Sequence, residues 1–222
     1  MSQQSEGAWW ELVRFGFRLL YHEMAFTYDT VSYVVSLGHW RCWQQASLQF
    51  LPDPATGTIL EIAHGTGNLQ LDFHEAGYTT VAYDYSPQMG KIAGAKLARN
   101  GFQTDFARGK AQELPFADES FSAIVTTFPT NFIVQPETLH ETYRVLKSGG
   151  CLIAVLNGTL TGGGIVKSFI EWLYAITGQR DSGDLSASDF FGGYGFDVEA
   201  VEVECKGSKA QLVILRKMTS SE

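Results

Sequence analysis

At 222 residues the chain is longer than the usual single domain of about 100–150 residues but short for two. Hydrophobic residues make up 45% and charged ones 18%, enough for a proper core and far from a disordered or fibrous composition. Sixteen Lys and Arg against 24 Asp and Glu give a formal net charge of −8, which argues against nucleic acid as the main partner, since phosphate binding runs on Lys and Arg.

Residues 8–27 carry Trp9, Val13, Phe17, Leu20 and Met24 at three- or four-residue steps, with Glu11, Arg14, Arg18 and Glu23 between them, the pattern of an amphipathic helix. An aromatic-rich segment from Tyr28 to Phe50 follows and stops at Pro52-Asp53-Pro54. From Thr58 the pattern changes. Short apolar runs at 58–63, 80–84, 103–106, 121–127 and 151–156 read as strands, and helical stretches lie at 67–76, 87–100 and 135–147. Strands alternating with helices imply βαβ units and a parallel sheet with right-handed crossovers. A Gly-rich turn at 161–164 leads to a helix over 166–176, and DVEAVEVEC and AQLVIL around KGSK read as an antiparallel hairpin.

Cys42, Cys151 and Cys205 are far apart and form no CxxC pair. They are read as three buried thiols in a reducing cytoplasm, with no disulfide framework and no metal site. No apolar run approaches the ~18 residues of a membrane-spanning helix. The N-terminal stretch lacks a basic region followed by an apolar one, so the expectation is a soluble, cytoplasmic protein without a signal peptide.

The strongest local signal is ILEIAHGTGNLQ, residues 59–70, in which a buried strand runs into a loop with Gly65 and Gly67 and then a helix. Glycines there permit positive φ and let backbone N–H groups approach a ligand; the alternative is a tight strand–helix turn that binds nothing. Glu61 lies in the strand itself, where a carboxylate is costly to bury without a partner. Asp84 closes the next apolar run, at the position from which α/β folds accept hydrogen bonds from ribose hydroxyls. A dinucleotide fingerprint counted from Gly65 needs a small residue where Gln70 stands, and the loop has no Lys-Ser/Thr of a phosphate-binding P-loop, so neither NAD nor ATP is favoured.

The run resembles the first motif of class I S-adenosylmethionine-dependent methyltransferases, and further pieces follow in that family's order. VAYDYSPQM (81–89) is similar to its second motif. RGKAQELPFADESFSAIV (108–125) and ETYRVLKSGG (141–150) resemble the stretches around its fourth strand and before its fifth. The resemblance implies an α/β Rossmann-like fold: a seven-stranded, mostly parallel sheet with a C-terminal antiparallel hairpin and an N-terminal helical lid. It implies one methyltransferase domain over 1–222, made of a lid (1–50), a cofactor-binding core (51–160) and a final helix and hairpin (161–222). Glu61 would face the amino-acid end of S-adenosylmethionine. Ala63, His64, Gly65 and Gly67 would pass beside its methionine and ribose, and Asp84 would accept from both ribose hydroxyls. Tyr85 and Met89 would bracket the adenine, with Ala111 and Gln112 at its edge, and Thr127 and Phe128 would line the floor beneath the sulfonium.

The sequence departs from the family pattern in two places. Ala63 replaces the usual first glycine, a methyl that fits where φ is negative. Lys110 stands where many members have an Asp that accepts from the adenine amine, which a donor-only lysine cannot do; either Gln112 or a backbone carbonyl takes that role, or adenine recognition is weakened. His64, also atypical, is read as a loop histidine facing solvent.

The motif identifies the cofactor rather than the acceptor. TTFPTNF (126–132) lacks the Asn/Asp-Pro-Pro-aromatic run of enzymes that methylate base amines or amides. HEMAFTYDTVSYVVSLG (22–38) is similar to the Tyr-Asp segment of ubiquinone/menaquinone-type and related small-molecule methyltransferases, which would fold Tyr28 over the cofactor. The aromatic N-terminal segment and the acidic charge favour a small apolar or aromatic acceptor, methylated on a hydroxyl or a ring carbon, with His22, Tyr28 and His39 as candidate bases. A catalytically silent S-adenosylmethionine-binding module and a nucleotide-binding oxidoreductase are the competing readings. Contact of the first helix with a membrane surface is opposed by Glu11 and Glu23, which offset Arg14, Arg18 and His22.

Overall fold

Apolar runs too short to hide themselves must be covered on both faces, and the chain does this by laying them side by side with helices above and below. The computed structural model describes residues 28–160 and 191–218. The expected helices at 8–27 and 166–176, the turn at 161–164 and His22 lie outside them. The helices are α1 (Tyr28–Val35), α2 (Trp40–Gln45), α3 (Asn68–Glu75), α4 (Pro87–Arg99) and α5 (Pro136–Val145). The strands are β1 (Ile59–Ile62), β2 (Thr80–Asp84), β3 (Asp105–Arg108), β4 (Phe121–Thr127), β5 (Leu146–Leu160), β6 (Phe196–Cys205) and β7 (Ser208–Lys217). They form one sheet in the order β3-β2-β1-β4-β5-β7-β6. Strands β3 to β5 are parallel, and β7 joins antiparallel to both β5 and β6. The mostly parallel seven-stranded sheet with its C-terminal antiparallel hairpin is the one expected from the sequence, while the first half of the expected lid lies outside the described residues.

Two apolar layers sandwich the sheet. Leu60, Ile62, Ile124, Leu152 and Leu215 face one way, against Leu139 and Val145 of α5. Ile59, Val125, Ile153 and Ile214 face the other, against Leu69 and Phe73 of α3 and Trp43 of α2. Each such side chain contributes on the order of 1.5–3 kcal/mol when fully buried. α4 packs beside α3 through Ala93, whose β-carbon would lie 2.7 Å from any β-carbon placed on Gly67.

Two strands differ from expectation. β5 was expected over 151–156 and instead runs from Leu146 to Leu160. Its start pairs Leu146 with Phe121, and past Val155 it runs beyond the end of β4, held by β7 alone, with Leu160 opposite Ser208. β3 falls at 105–108 rather than 103–106, because its register is set by β2, with Val81 opposite Asp105 and Asp84 opposite Arg108.

The extension of β5 carries α2. Trp43 is fully buried on Gly158, where a β-carbon would come within 2.2 Å of its indole, and its Nε1 donates to Ser208 Oγ at 3.0 Å. Ser36 Oγ accepts from the N–H of Trp40 at 3.0 Å, supplying the helix start that His39 does not cap. This docking overturns the expectation of three separate thiols. Cys42 on α2 and Cys205 at the end of β6 are joined in a disulfide with their α-carbons 6.1 Å apart, and Cys151 is the buried free thiol. A separation of 163 residues in sequence concealed their adjacency in space.

At the sheet edge, β6 turns Asp197, Glu199 and Glu204 outward. Lys209 of β7 binds Glu202 and Glu204 at 3.2 and 2.9 Å.

Candidate active site

The loop between β1 and α3 is shaped by three left-handed residues: Ala63 at φ +60°, Gly65 at +55° and Gly67 at +77°. The methyl of Ala63 fits without strain only where φ is negative. The loop instead holds it in the left-handed region, a conformation costing roughly 1–2 kcal/mol, with its N–H donating to the Tyr83 carbonyl at 2.8 Å. At Gly65 a β-carbon would meet no described atom within 4 Å, so the backbone there borders open space, as a loop beside a ligand must. At the end of β2, Asp84 Oδ2 accepts from Gly65 N–H at 3.0 Å and Oδ1 from Ser86 N–H at 2.8 Å. These two bonds hold the carboxylate beside the loop, and each oxygen keeps a lone pair for a vicinal diol. Loop and acid together fit the nucleoside of S-adenosylmethionine.

Glu61 is 1% exposed, and Gln70 Nε2 donates to its Oε2 at 2.7 Å. Gln70 Oε1 in turn accepts from Thr80 Oγ1 at 2.7 Å, and Thr80 shares a further bond with Thr104. The residue that breaks the dinucleotide fingerprint is thus the partner that allows a carboxyl in the strand. Burial, reinforced by the nearby Asp84 and Asp72 carboxylates, pushes the Glu61 carboxyl up to about 8 despite the Gln70 bond and the Arg41 charge. An acid raised in the folded state adds stability that is complete below its ordinary value near 4.5 and lost as pH climbs through 8. The ligand-free wild-type protein should therefore lose a few kcal/mol relative to Glu61→Gln between pH 5 and 9, measured by urea denaturation across that range. Parallel pH profiles for the two proteins would refute the assignment.

His64 was expected to face solvent. It is 5% exposed, packed edge-on against Phe106 with ring centroids 5.4 Å apart, and its Nδ1 lies 2.9 Å from the Gly65 carbonyl. Burial lowers its pKa, opposed by the charge of Asp84. The ring therefore buttresses the loop from beneath.

Of the two residues expected to bracket the adenine, Tyr85 is 59% exposed while Met89 is buried, so the two differ in how much surface they offer a base. Arg108 Nε donates to the Tyr85 carbonyl, and its guanidinium lies 5.8 Å from the Tyr85 ring centroid. Ala111 is buried. Gln112 Nε2 is bonded to Gln135 Oε1 at 2.6 Å. The Lys110 side chain is exposed, and its backbone carbonyl accepts from Tyr83 Oη at 3.1 Å.

At the end of β4, Phe128 adopts φ +50°, rare for a bulky residue, and its N–H is held by the Val155 carbonyl at 2.7 Å. Trp40 of α2 stacks on Phe128 with centroids 3.9 Å apart, and Gln44 Nε2 reaches Thr127 Oγ1 at 3.4 Å. Arg41 holds α2 to α3 through both oxygens of Asp72 at 2.7 Å. His39 stacks on Trp43 and lies toward Gly207 in the β6–β7 turn. Of the candidate bases, His39 is thus at the hairpin side of α2, while Tyr28 is placed by its backbone at the start of α1.

Sequence reasoning passed over the residue after Tyr28. Asp29 Oδ1 accepts from Thr66 Oγ1 at 2.5 Å and Asn68 Nδ2 at 2.9 Å, and Oδ2 from Lys96 Nζ at 2.8 Å. The Tyr-Asp pair was the available signal, and only its tyrosine had been used.

With this geometry in place, the likenesses are specific. The model of the ubiE/COQ5 methyltransferase family matches residues 16–204. The chain is 30% identical over 176 residues to the ubiquinone/menaquinone biosynthesis C-methyltransferase of Roseobacter denitrificans, covering 73% of this chain and 70% of that one. It is 33% identical over 139 residues to the demethylmenaquinone methyltransferase of Thermus thermophilus, covering 61% of this chain and 63% of that one. Part of each relative's length therefore has no counterpart in the aligned stretch. Among solved structures, the phosphoethanolamine N-methyltransferase 2 of Haemonchus contortus, in complex with phosphomonomethylethanolamine and S-adenosylhomocysteine, superposes with a TM-score of 0.62 at 16% identity. That superposition covers 82% of this chain and 53% of that one, and it speaks for the fold. A family match over most of the chain, on a sheet and loop of this form, makes the chain a member of the ubiE/COQ5 methyltransferase family, with S-adenosylmethionine as its methyl donor.

Proposed function

We propose that the chain methylates a small, apolar aromatic acceptor of the quinol or phenol type, at a ring carbon or its hydroxyl. The observation that carries this reading is the Trp40–Phe128 stack across the C-terminal end of β4, an aromatic surface on the side of the cofactor loop where Thr127 ends the strand. The methyltransferases named above from Roseobacter denitrificans and Thermus thermophilus carry quinone-biosynthesis names and point the same way.

Bound S-adenosylmethionine supplies a methyl group already activated on a sulfonium, so the protein's main task is alignment, worth up to ~7–11 kcal/mol in favourable systems. Asp84 would hold the ribose, and the Ala63–Gly67 backbone would line the methionine. Glu61, at the base of the loop, sits toward the amino-acid end. The partly buried Trp40–Phe128 stack gives this end of β4 an apolar aromatic border against which an acceptor ring would pack with water excluded. As the new bond forms to the methyl carbon, its bond to sulfur breaks, and the acceptor proton leaves to a base, with His22, Tyr28 and His39 as candidates.

The test is release of S-adenosylhomocysteine with a panel of quinols, phenols, amines and lipids. Turnover should be confined to the aromatic hydroxyl compounds, and Trp40→Ala should raise the acceptor KM about tenfold with the cofactor KM unchanged. Turnover of amines alone would reject the acceptor class. Wild-type rates in His22→Ala, Tyr28→Phe and His39→Ala would reject all three bases.

A further inference from the structure

Asp29 is the point at which α1 grips the body of the protein. Its carboxylate gathers donors from the cofactor loop (Thr66), the first residue of α3 (Asn68) and the last turn of α4 (Lys96). Lys96 Nζ closes the cluster by donating to Asn68 Oδ1 at 2.5 Å. The donors hold the Asp29 carboxyl below its ordinary value, against burial that alone would raise it. The rest of α1 offers the core little: Val31, Tyr33 and Val34 are exposed, and just past its end Ser36 Oγ bonds back to the Ser32 carbonyl. Thr66 lies between Gly65 and Gly67, the two left-handed glycines that shape the cofactor loop. One carboxylate therefore joins the segment that begins at Tyr28 to the loop that would line the cofactor.

We propose that Asp29 and Lys96 are positioning residues that couple the order of the cofactor loop to the placement of the N-terminal segment, so that cofactor binding organises the acceptor side. The proposal rests on the cofactor lying along the Ala63–Gly67 backbone. Its physical content is linkage. If the loop in its bound shape presents Thr66 and Asn68 to Asp29, then docking α1 strengthens cofactor binding and cofactor binding strengthens docking by the same factor. A surface ion pair without this role would be worth almost nothing to the ligand.

Asp29→Asn removes the charge at constant size, and Lys96→Met removes the ammonium while keeping the stem. Each should raise the Kd for S-adenosylhomocysteine by roughly tenfold, measured by calorimetry, while the double variant is no weaker than either alone because the two break one device. Asp29→Glu should recover part of the loss. Hydrogen exchange separates coupling from folding. In the wild type, S-adenosylhomocysteine should slow exchange in both 63–70 and 28–36; in Asp29→Asn it should slow exchange in 63–70 alone. Ligand protection of 28–36 that survives in Asp29→Asn, additive losses in the double variant, or Kd values within twofold of wild type would overturn the coupling. Loss of ligand protection at 63–70 in the wild type would instead overturn the cofactor placement.

Discussion

Asp84→Ala should bind S-adenosylhomocysteine at least a hundredfold more weakly than the wild type and lose the thermal stabilisation that ligand confers. The side chain does two things that alanine cannot. It pins the Gly65 N–H at 3.0 Å and the Ser86 N–H at 2.8 Å, fixing the loop against the start of α4, and it offers charged acceptor sites to a vicinal diol. Hydrogen bonds to a charged group contribute about 1.5–3 kcal/mol each, so losing the diol contacts alone predicts a hundredfold or more. Asp84→Asn tests the same point more gently, since its amide can accept on one side while presenting a donor to the other backbone N–H. Calorimetry on both variants measures the effect, and a Kd for Asp84→Ala within threefold of wild type would falsify the assignment of this acid to the ribose.

Stability should respond most strongly to the Cys42–Cys205 bond. Loss of a native disulfide typically costs about 2–4 kcal/mol, and in the chain-entropy model a loop of this length approaches about 5 kcal/mol. Dithiothreitol, Cys42→Ser or Cys205→Ser should each lower the urea midpoint by a matching amount, and the reductant should have no further effect on either variant. Cys151 should stay out of exchange, because it is buried and burial raises its pKa, leaving little thiolate. Peptide mapping should find Cys42 linked to Cys205. A wild-type midpoint indifferent to reductant would mean that the two cysteines contribute to stability only by packing.

Much of this architecture is legible in the residues, for a local reason. β1, β2 and β4 are continuous apolar runs because both their faces are covered, and helical stretches separate them, so the parallel core follows from pattern. The β6–β7 hairpin is equally visible from alternation around KGSK. What escapes is decided between segments distant in sequence. The ends of β5 are set by pairing with Phe121 at one end and Ser208 at the other, and the run from 146 to 150, LKSGG, carries no strand signature of its own. β3 is an exposed edge bearing Asp105 and Arg108, so its register follows from β2 rather than from hydrophobicity.

The site divides in the same way. Gly65, Gly67 and Asp84 are recognisable because backbone freedom and an acid at a strand end are written in single residues. The left-handed Ala63 is not, because its conformation is fixed by the Tyr83 carbonyl on the neighbouring strand. Nor is the burial of His64 under Phe106, which depends on β3. Glu61 was conspicuous as a misplaced charge, whereas its partner Gln70 was read only for the cofactor it excluded. Asp29 looks like an ordinary surface acid until three elements converge on it.

The acidity first read as a statement about partners has a second meaning at the outer strand. Among the described residues, β6 ends the seven-stranded sheet with one side of its backbone without a neighbouring strand, and such an edge invites a second chain to continue the ladder. Asp197, Glu199, Glu202 and Glu204 set like charges at close spacing along that border. Lys209 of β7 holds Glu202 and Glu204, and Arg216 reaches Glu199, so these acids line the border while bound to the neighbouring strand. Charged side chains on a solvent-facing edge strand discourage the addition of another strand, and replacing those acids with neutral residues would weaken that protection while leaving the cofactor loop untouched.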